Sequence, residues 1–501
     1  MSDPDKVTVS VAVPVEWTWH LLSAPQCWPW LVGSAVSVEF TGRANGRTRY
    51  RLGHAGTDCD IETIADPTSF TMEVRCGERT VLTCAVASAG ELSTATWALW
   101  PEAPAPVAEF WRKADACAPT IEKTSHIVEI ARTYEDPLDK ARALAPISRG
   151  RAQDSLRART LDPAVVAALR ECGIFRIGLP RSLGGADLSG RTVVAVIEEL
   201  SRANAATGWC AFIGNQNAYA AWLPPKTLAR MSGENGSFVL AGSTAVTGTA
   251  EPSGDGHYRL NGRWRFNSGC LHADWIMAGV TVPADDGTRV PRLAFVPWRK
   301  AEVLDTWHVA GLAGTGSHDI VLNDVDVPAD FIAPLFTEPS QSPDPLHRLS
   351  PYNIQGVLMI GLPLGLARRA LDELTALMSS PTVPWAEETA IEFARLETAL
   401  AAARALALDT VDEYWEELSL EPQLAPRSAA RLALVLRQAV DTAKHVIEQV
   451  SRSVEHVGSF ETSRTLRGLL RDCYGAGQHL AVSDDVYRRN ALRLVGHPDA
   501  T

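Results

Sequence analysis

The chain has 501 residues, of which 46% are hydrophobic, and a formal net charge of −12 at neutral pH. This length is too great for one ordinary core and predicts two to four domains. The acidic balance, without any cluster of Lys and Arg, argues against nucleic acid as the partner. The longest apolar stretch, residues 357–367, is too short and too interrupted by Gly and Pro to span a membrane.

The nine cysteines are scattered and include no Cys-x-x-Cys pair. This spacing favours reduced, mostly buried thiols and predicts no metal site. The first residues are polar, and no basic-then-apolar leader of the secretory type follows them. We therefore expect a cytoplasmic protein.

Residues 1–132 are predicted to form a β-rich first domain. Several short runs alternate apolar and polar residues, and turn residues separate them. Pro14 predicts the start of a short helix reaching Leu22, and a long helix is expected from about Val107 to Ile130. The predicted strands cover residues 7–13, 35–40, 48–52, 59–64, 69–76, 80–87 and 93–99.

Composition changes three times after this domain. A charged segment at 133–142, which contains Pro137, is predicted to be a linker. Residues 143–235 are predicted to be helical, residues 236–335 β-rich, and residues 336–501 helical. Apolar residues recur at helical spacing in the last part, as in a helix bundle. The predicted bundle helices are Ile391–Leu418, Arg427–Val457 and Leu466–Asn490.

The stretch from Gly262 to Trp275 is the first candidate for a binding site. Trp264 and Phe266 alternate with arginines, which is typical of a half-buried strand. The strand then meets Ser268 and Gly269, and a glycine there indicates a bulge or a close backbone approach to a flat partner. A planar cofactor is one such partner, and a packed β-turn is the alternative.

Residues 135–495 resemble the acyl-CoA dehydrogenase fold, and more closely its branch of two-component flavin-dependent monooxygenases. Five segments carry the resemblance, in the same order as in the family. They are Gly173–Phe175 with Leu179-Pro180 and Gly184-Gly185; Ala206–Trp209; Gly262–Trp275; Trp307–Gly311 with Gly314–Ser317 and Asp324–Pro328; and Leu466-Arg467 with Arg471-Asp472 and His479.

Residues 1–132 resemble the helix-grip fold of the START and polyketide-cyclase (SRPBCC) superfamily. The resemblance rests on element order and on a few aromatic residues. Those residues are Trp17 with Trp19 after Val13-Pro14-Val15-Glu16, and Trp28-Pro29-Trp30. It implies a curved sheet around a long helix with an apolar cavity. The predicted architecture is therefore α+β and multidomain: a helix-grip domain, then a helical domain, a β-barrel or sheet domain and a C-terminal four-helix bundle.

The family's dehydrogenases need a glutamate as the base that removes a proton beside a thioester. At its two known positions this chain has Gln355 and the segment Ala476–His479. An amide cannot act as a base near neutral pH, so acyl-CoA dehydrogenation is disfavoured. The family's Arg-x-Phe-Gly, which holds the dinucleotide, has no counterpart between Leu374 and Leu396. This favours FMN, with FAD as the alternative.

The resemblance to the monooxygenase branch implies roles for three residues. His479 matches a histidine near the flavin C4a edge, where a C4a-hydroperoxide forms from reduced flavin and O2. It is expected either to take a proton from a phenol or to donate a hydrogen bond. Ser268 matches a serine near flavin and substrate. Asn217 stands where several relatives have a second histidine, so simple phenol activation by two histidines is in doubt, and Asn215 and Gln216 are candidates for recognising substrate oxygens.

The resemblance also implies a set of cofactor contacts. The backbone of the Gly-rich turn near Thr315 is a candidate for binding a phosphate, and Asp472 is expected to pair with a neighbouring arginine. The predicted cofactor-binding residues are Trp209, Trp264, Ser268, Gly269, Thr315 and Ser317.

The sequence thus predicts a monooxygenase that oxygenates an aromatic or polyketide-type natural-product intermediate. Since no Gly-x-Gly-x-x-Gly follows a strand, reduced flavin is expected from a separate NAD(P)H:flavin reductase. A homo-oligomer, dimer or tetramer, is implied by the fold. The alternatives are a flavin oxidase or dehydrogenase on a non-CoA substrate, and a polyketide cyclase or binding protein with a degenerate flavin module.

Overall fold

The structure is a computed structural model that describes most of the chain outside the first domain. The described residues are 5–11, 37–44, 47–54, 57–66, 71–89, 92–100, 103–112, 133–232, 236–334, 337–381, 385–455, 459–483 and 485–495. The predicted helix from Pro14, the aromatic residues Trp17, Trp19, Trp28 and Trp30, and most of the predicted helix 107–130 lie outside these residues.

The described residues of the first domain include seven strands that form an antiparallel sheet. They are β1 (Asp5–Val11), β2 (Ser37–Ala44), β3 (Arg47–His54), β4 (Thr57–Asp66), β5 (Thr71–Cys76), β6 (Arg79–Ala89) and β7 (Leu92–Leu99). The spatial order is β1-β7-β6-β5-β4-β3-β2, so the first strand closes against the last. Helix α1 (Ala105–Arg112) packs against β3, β4 and β7. The strands lie close to the ranges that alternation predicts, and in β5 the burial of Met72 and Val74 follows that alternation.

A second group of seven strands lies in the middle of the chain. They are β8 (Leu240–Gly254), β9 (His257–Asn267), β10 (Trp275–Pro283), β11 (Arg289–Pro297), β12 (Glu302–Leu304), β13 (His318–Pro328) and β14 (Ile332–Ala333). Their order is β12-β13-β9-β8-β10-β11-β14. The short strand β12 also pairs with β2, at Val303 and Arg43, which joins both groups into one 14-stranded sheet.

Helices precede and follow the second strand group along the chain. Those before it are α2 (Pro137–Gly150), α3 (Ala152–Ala158), α4 (Pro163–Glu171), α5 (Gly190–Ala203), α6 (Ala205–Gly214) and α7 (Pro225–Ser232). Those after it are α8 (Pro345–Arg348), α9 (Pro351–Met359), α10 (Gly361–Met378), α11 (Glu387–Leu420), α12 (Pro426–Val454), α13 (Phe460–Ala476) and α14 (Asp485–Leu494). Helix α2 begins inside the segment 133–142, because Asp136 caps it and Pro137 starts its first turn.

The C-terminal helices form the predicted bundle, in which α12 contacts α10, α11, α13 and α14. The prediction of one helix over residues 466–490 is wrong, because α13 ends at Ala476 and α14 begins at Asp485. Among the described helices, one stretch, Pro351–Met378, is long and apolar enough to cross a membrane. Its apolar window is 83% buried inside the protein, as in a core helix.

Candidate active site

The end of β9 has an unusual backbone that turns Phe266 outward. Phe266 has φ +64°, and the pairing of β9 with β13 shifts register at this point. An aromatic residue in the left-handed region is a genuine outlier, and such strain is commonly kept at functional sites. As a result the Phe266 side chain is 61% exposed, and its ring meets Trp307 edge-on at 6.2 Å between centroids.

Ser268 lies at the start of a chain of buried hydroxyl groups. Trp209 Nε1 donates to Ser268 Oγ at 2.8 Å, and Ser268 Oγ lies 2.7 Å from Ser317 Oγ. Ser317 Oγ lies 2.6 Å from Thr315 Oγ1, which donates to the Leu312 carbonyl at 2.8 Å. The four predicted site residues Trp209, Ser268, Thr315 and Ser317 come from three separate parts of the sequence, and the structure brings them together.

The direction of this chain follows from counting protons. Each hydroxyl has one proton to donate. With Thr315 donating to the Leu312 carbonyl, the arrangement that uses each proton once has Ser317 donating to Thr315 and Ser268 donating to Ser317. Ser268 therefore has only a lone pair left, and it can accept a hydrogen bond from a ligand N–H group.

The loops at Gly269 and Thr315 are joined through their backbones. Gly269 has φ +73°, and its N–H donates to the Thr315 carbonyl at 2.8 Å. A side chain at position 269 would be strained by this φ and would meet the His272 ring. The Thr315 N–H is bonded to the Leu312 carbonyl. The side chains of Thr315 and Ser317 are almost fully buried. These contacts favour a role in positioning Ser268, rather than the predicted role in binding a phosphate.

Trp209 lies on α6, which begins at its cap residue Asn204 and is buried along its whole length. The Trp209 and Phe212 rings both meet the His479 ring edge-on, at centroid distances of 5.8 and 6.4 Å. Since residues 209 and 212 are three apart, they share one helix face. That face links Ser268 to His479.

His479 lies at the break between α13 and α14. It has extended backbone angles and caps a short turn over Leu480–Val482, where its Nδ1 accepts from the Ala481 N–H at 3.2 Å. Its Nε2 lies 3.2 Å from the Gln355 side-chain amide on α9. Burial among these neighbours lowers the pKa of His479 to about 4. The ring is therefore neutral at cellular pH.

A close backbone contact holds the loop after β12 against α13. A Cβ on Gly311 would lie 2.0 Å from the Arg471 carbonyl oxygen, so only glycine fits. Next to it, the Leu312 N–H donates to Asp472 Oδ1 at 2.6 Å, and burial raises the pKa of Asp472 to about 6. Asp472 was expected to pair with an arginine, but its hydrogen bond is to this backbone.

The two tryptophans of the Gly262–Trp275 stretch are engaged elsewhere. Trp264 is 1% exposed and donates from Nε1 to the Gly279 carbonyl at 2.9 Å, so it packs inside the sheet. Trp275 stacks on Phe331 at 5.3 Å and donates to the Met231 carbonyl. These contacts favour a packing role for Trp264 over the predicted cofactor contact, and Phe266 presents the exposed ring instead.

Asn217 and Asn215 hold the segment 173–178. The Asn217 amide donates to the carbonyls of Phe175 and Phe238 at 2.8 and 2.9 Å, and its side chain is fully buried. Asn215 donates to Ile174 and Ala211 carbonyls and accepts from the Gly178 N–H. No described contact joins either residue to Ser268 or His479. Their contacts favour a structural role over the roles predicted in catalysis and recognition.

Sequence reasoning missed Phe212 and the outward turn of Phe266. Spacing on α6 relative to Trp209 was an available signal for Phe212. The alternating pattern placed Phe266 on the same face as Trp264, and only the left-handed φ separates the two rings.

The surroundings fit a flavin. Exposed apolar side chains are close in sequence to each polar site residue: Phe266 is two residues before Ser268, Leu480 follows His479, and Tyr352 is three residues before Gln355. A flat apolar ring would cover such groups. The acceptor lone pair of Ser268 suits the ring N–H groups that a reduced flavin carries.

Two family profiles match the chain. Residues 140–224 match the N-terminal domain of the acyl-CoA dehydrogenases, and residues 358–484 match their C-terminal domain. Neither match extends into residues 1–139. The hydroxylase of 3-HSA from Rhodococcus sp. RHA1 superposes with a TM-score of 0.66 and 22% identity, over 73% of this chain and 97% of that chain. The predicted acyl-CoA dehydrogenase-like fold is thereby confirmed for this part of the chain.

The similar proteins are flavin-dependent oxygenases. The indole-3-acetate monooxygenase of Pseudomonas putida is 29% identical over 70% of this chain and 90% of its own length. The oxygenase component of an FADH2-dependent resorcinol hydroxylase from a Rhizobium is 38% identical over 41% of this chain and 51% of its own length. An FMN-bound dibenzothiophene monooxygenase from Paenibacillus superposes with a TM-score of 0.62 and 22% identity, over 72% of this chain and 97% of that chain. These relatives confirm the predicted class, a flavin-dependent monooxygenase.

Proposed function

We propose that the protein is the oxygenase component of a two-component monooxygenase, which uses FMNH2 from a separate NAD(P)H:flavin reductase and O2 to oxygenate an aromatic or polyketide-type substrate. The observation that carries this proposal is the contact of Gln355 with His479, 3.2 Å apart. An imidazole and an amide stand where a dehydrogenase of this fold has its carboxylate. An amide cannot act as a general base near neutral pH, and the one lone pair of the neutral imidazole already accepts from the Ala481 N–H.

The reduced flavin, when bound, supplies the two electrons with which O2 gives one oxygen atom to the substrate and one to water. The protein's residues bind and orient. In that proton arrangement Ser268 would accept a hydrogen bond from the flavin ring, because its own proton is donated to Ser317. Phe266 and Trp307 provide aromatic surface, and the apolar rings of Trp209 and Phe212 keep water from His479.

We assign the first domain to the helix-grip class and propose that it binds the substrate or a precursor. Two features support this: the strand order β1-β7-β6-β5-β4-β3-β2, and a helix, α1, that packs on one face of the sheet. The strands direct alternate apolar side chains to the interior, such as Leu52, Ile61 and Val74. A fused domain of this kind suits a tailoring step in antibiotic biosynthesis. We further propose that the protein is cytoplasmic and forms a homo-oligomer, either a dimer or a tetramer.

The test is oxygenation with labelled oxygen. The full chain is mixed with FMN, a flavin reductase, NADH and 18O2, and the products from resorcinol, indole and indole-3-acetate are measured by mass spectrometry. One labelled oxygen atom in the product is expected, and none without the reductase. Two other results would contradict the proposal: an oxidised product that lacks the label, or turnover by tightly bound flavin in the absence of any reductase. The proposal would also be contradicted if none of the aromatic compounds tested, including polyketide-type phenols, gave a product.

A further inference from the structure

Gln355 and His479 form a polar pair inside a largely apolar shell. Gln355 lies on α9 and His479 follows α13, so the pair joins two separate helices at 3.2 Å. The Trp209 and Phe212 rings of α6 pack on the imidazole. No charged side chain among the described residues contributes to the pKa of His479, which burial alone lowers to about 4.

The protonation of the ring follows from its two contacts. Nδ1 faces the Ala481 N–H at 3.2 Å and can only accept there. A neutral imidazole carries one N–H, so the proton must be on Nε2. Nε2 then donates, and its partner at Gln355 must be an acceptor.

The side-chain amide of Gln355 can supply that acceptor from the position it already occupies. The O and N atoms of an amide exchange places on a half-turn and have nearly the same shape, so their assignment follows from the hydrogen-bond network. Here the network requires the carbonyl oxygen Oε1 to face Nε2. The Nε2 amino group of Gln355 does not bind His479 in this arrangement and is left as a hydrogen-bond donor. An imidazolium is disfavoured because it would place an N–H on Nδ1 against the Ala481 N–H.

We propose that Gln355 is a positioning residue that holds His479 as the neutral Nε2–H tautomer, so that the amino group of Gln355 is offered as a hydrogen-bond donor to a substrate oxygen and the pair takes no proton from it. This deepens the proposed function and rests on it. A matching aromatic substrate has a ring oxygen that arrives as an acceptor, such as a phenolate or a ring carbonyl. Since both ring nitrogens of His479 are occupied, by Gln355 and by the Ala481 N–H, the geometry argues against the role of taking a proton from a phenol.

The first measurement reads the tautomer directly. The full chain is labelled with 15N-histidine, and long-range 1H–15N correlation spectra are recorded without flavin, across the range of about pH 5 to 8 in which free histidine titrates. The His479 signals are those lost in His479→Asn. We expect a neutral ring with its proton on Nε2 throughout. A proton on Nδ1, or a titration midpoint near that of free histidine, would overturn the proposal.

The second measurement tests the part played by Gln355. Gln355→Glu places a carboxylate on Nε2, so the midpoint of His479 should rise by about one unit or more, into the measured range. Gln478→Glu is the matched control, since Gln478 is exposed and adjacent to His479 in sequence. If both variants shift the midpoint equally, the specific contact is refuted. These spectra need no flavin, O2 or substrate, so their outcome is independent of the oxygenation assay.

Discussion

Two side-chain amides lie where the resemblance to the family predicts a proton-transfer group, and their surroundings in the structure differ. Asn217 stands at the predicted place of a second histidine, and it is fully buried and bonded to the carbonyls of Phe175 and Phe238. Gln355 stands at the predicted place of a catalytic glutamate, and it is partly buried beside His479. An amide therefore holds the backbone at the first position and contacts the candidate catalytic histidine at the second.

Of the two amides, Asn217 is expected to show the larger loss of stability when it is replaced by the corresponding acid. Asn217→Asp removes both donors from buried carbonyls and adds a buried negative charge, so we expect a loss of roughly 3–5 kcal/mol in the free energy of unfolding. Urea denaturation measures it. The same chemical change at the other amide, Gln355→Glu, should cost far less because His479 can take a proton and pair with it. Equal losses at both positions would show that Asn217 and Gln355 do not differ in their structural roles.

Ser268→Ala tests the polar side of the site. It leaves the Trp209 N–H without its acceptor and removes the lone pair offered to the ligand. We expect product formation to fall by about 10- to 100-fold, the effect of one lost positioning hydrogen bond on the rate. The oxygenation assay measures this, with Ser268→Thr as the control that keeps the hydroxyl. Activity equal to that of the unmodified protein would show that the hydroxyl chain is only structural.

Asp472→Asn makes the reverse exchange, from carboxylate to amide, and should stabilise the protein. Burial raises the pKa of Asp472 to about 6, above its unfolded value near 3.8. The stabilising contribution of the neutral Asp472 carboxyl to the free energy of unfolding is therefore fully present below about pH 4 and is lost as the pH rises through 6. At pH 8 the Asn variant should be more stable by on the order of 1–3 kcal/mol, with no gain at pH 4. Thermal unfolding at the two pH values decides it, and a gain independent of pH would contradict the assignment.

The smallest effect is expected in the pH dependence of turnover. His479 titrates at about pH 4 and is neutral above that. Between about pH 5.5 and 8, kcat/KM should vary by less than about 2-fold through His479, and any larger change should follow the pKa of the substrate. A series of phenols of different acidity separates the two. A midpoint near 6.5 that stays fixed across the series would assign the proton to the histidine.

Element order was accessible from the sequence because periodicity follows burial directly. Alternation located the described strands of the first domain, composition located the β-rich range of the second group, and helical spacing located the bundle. Two features of the site were not accessible. The backbone of Phe266 is left-handed only because β9 and β13 shift register there, and the break before His479 is completed by a contact of its own ring with Ala481. The position of an amide in a sequence likewise says nothing about the direction in which its side chain points.

The left-handed Phe266 has a consequence for laboratory evolution. A residue without Cβ, or Asn, would relieve an outlier worth about 1–2 kcal/mol. Libraries screened for heat resistance alone should therefore enrich Gly or Asn at position 266, whereas libraries screened for turnover should retain the ring. The two screens would diverge at this one codon, and the ratio of outcomes would measure how strongly the enzyme depends on the exposed aromatic surface.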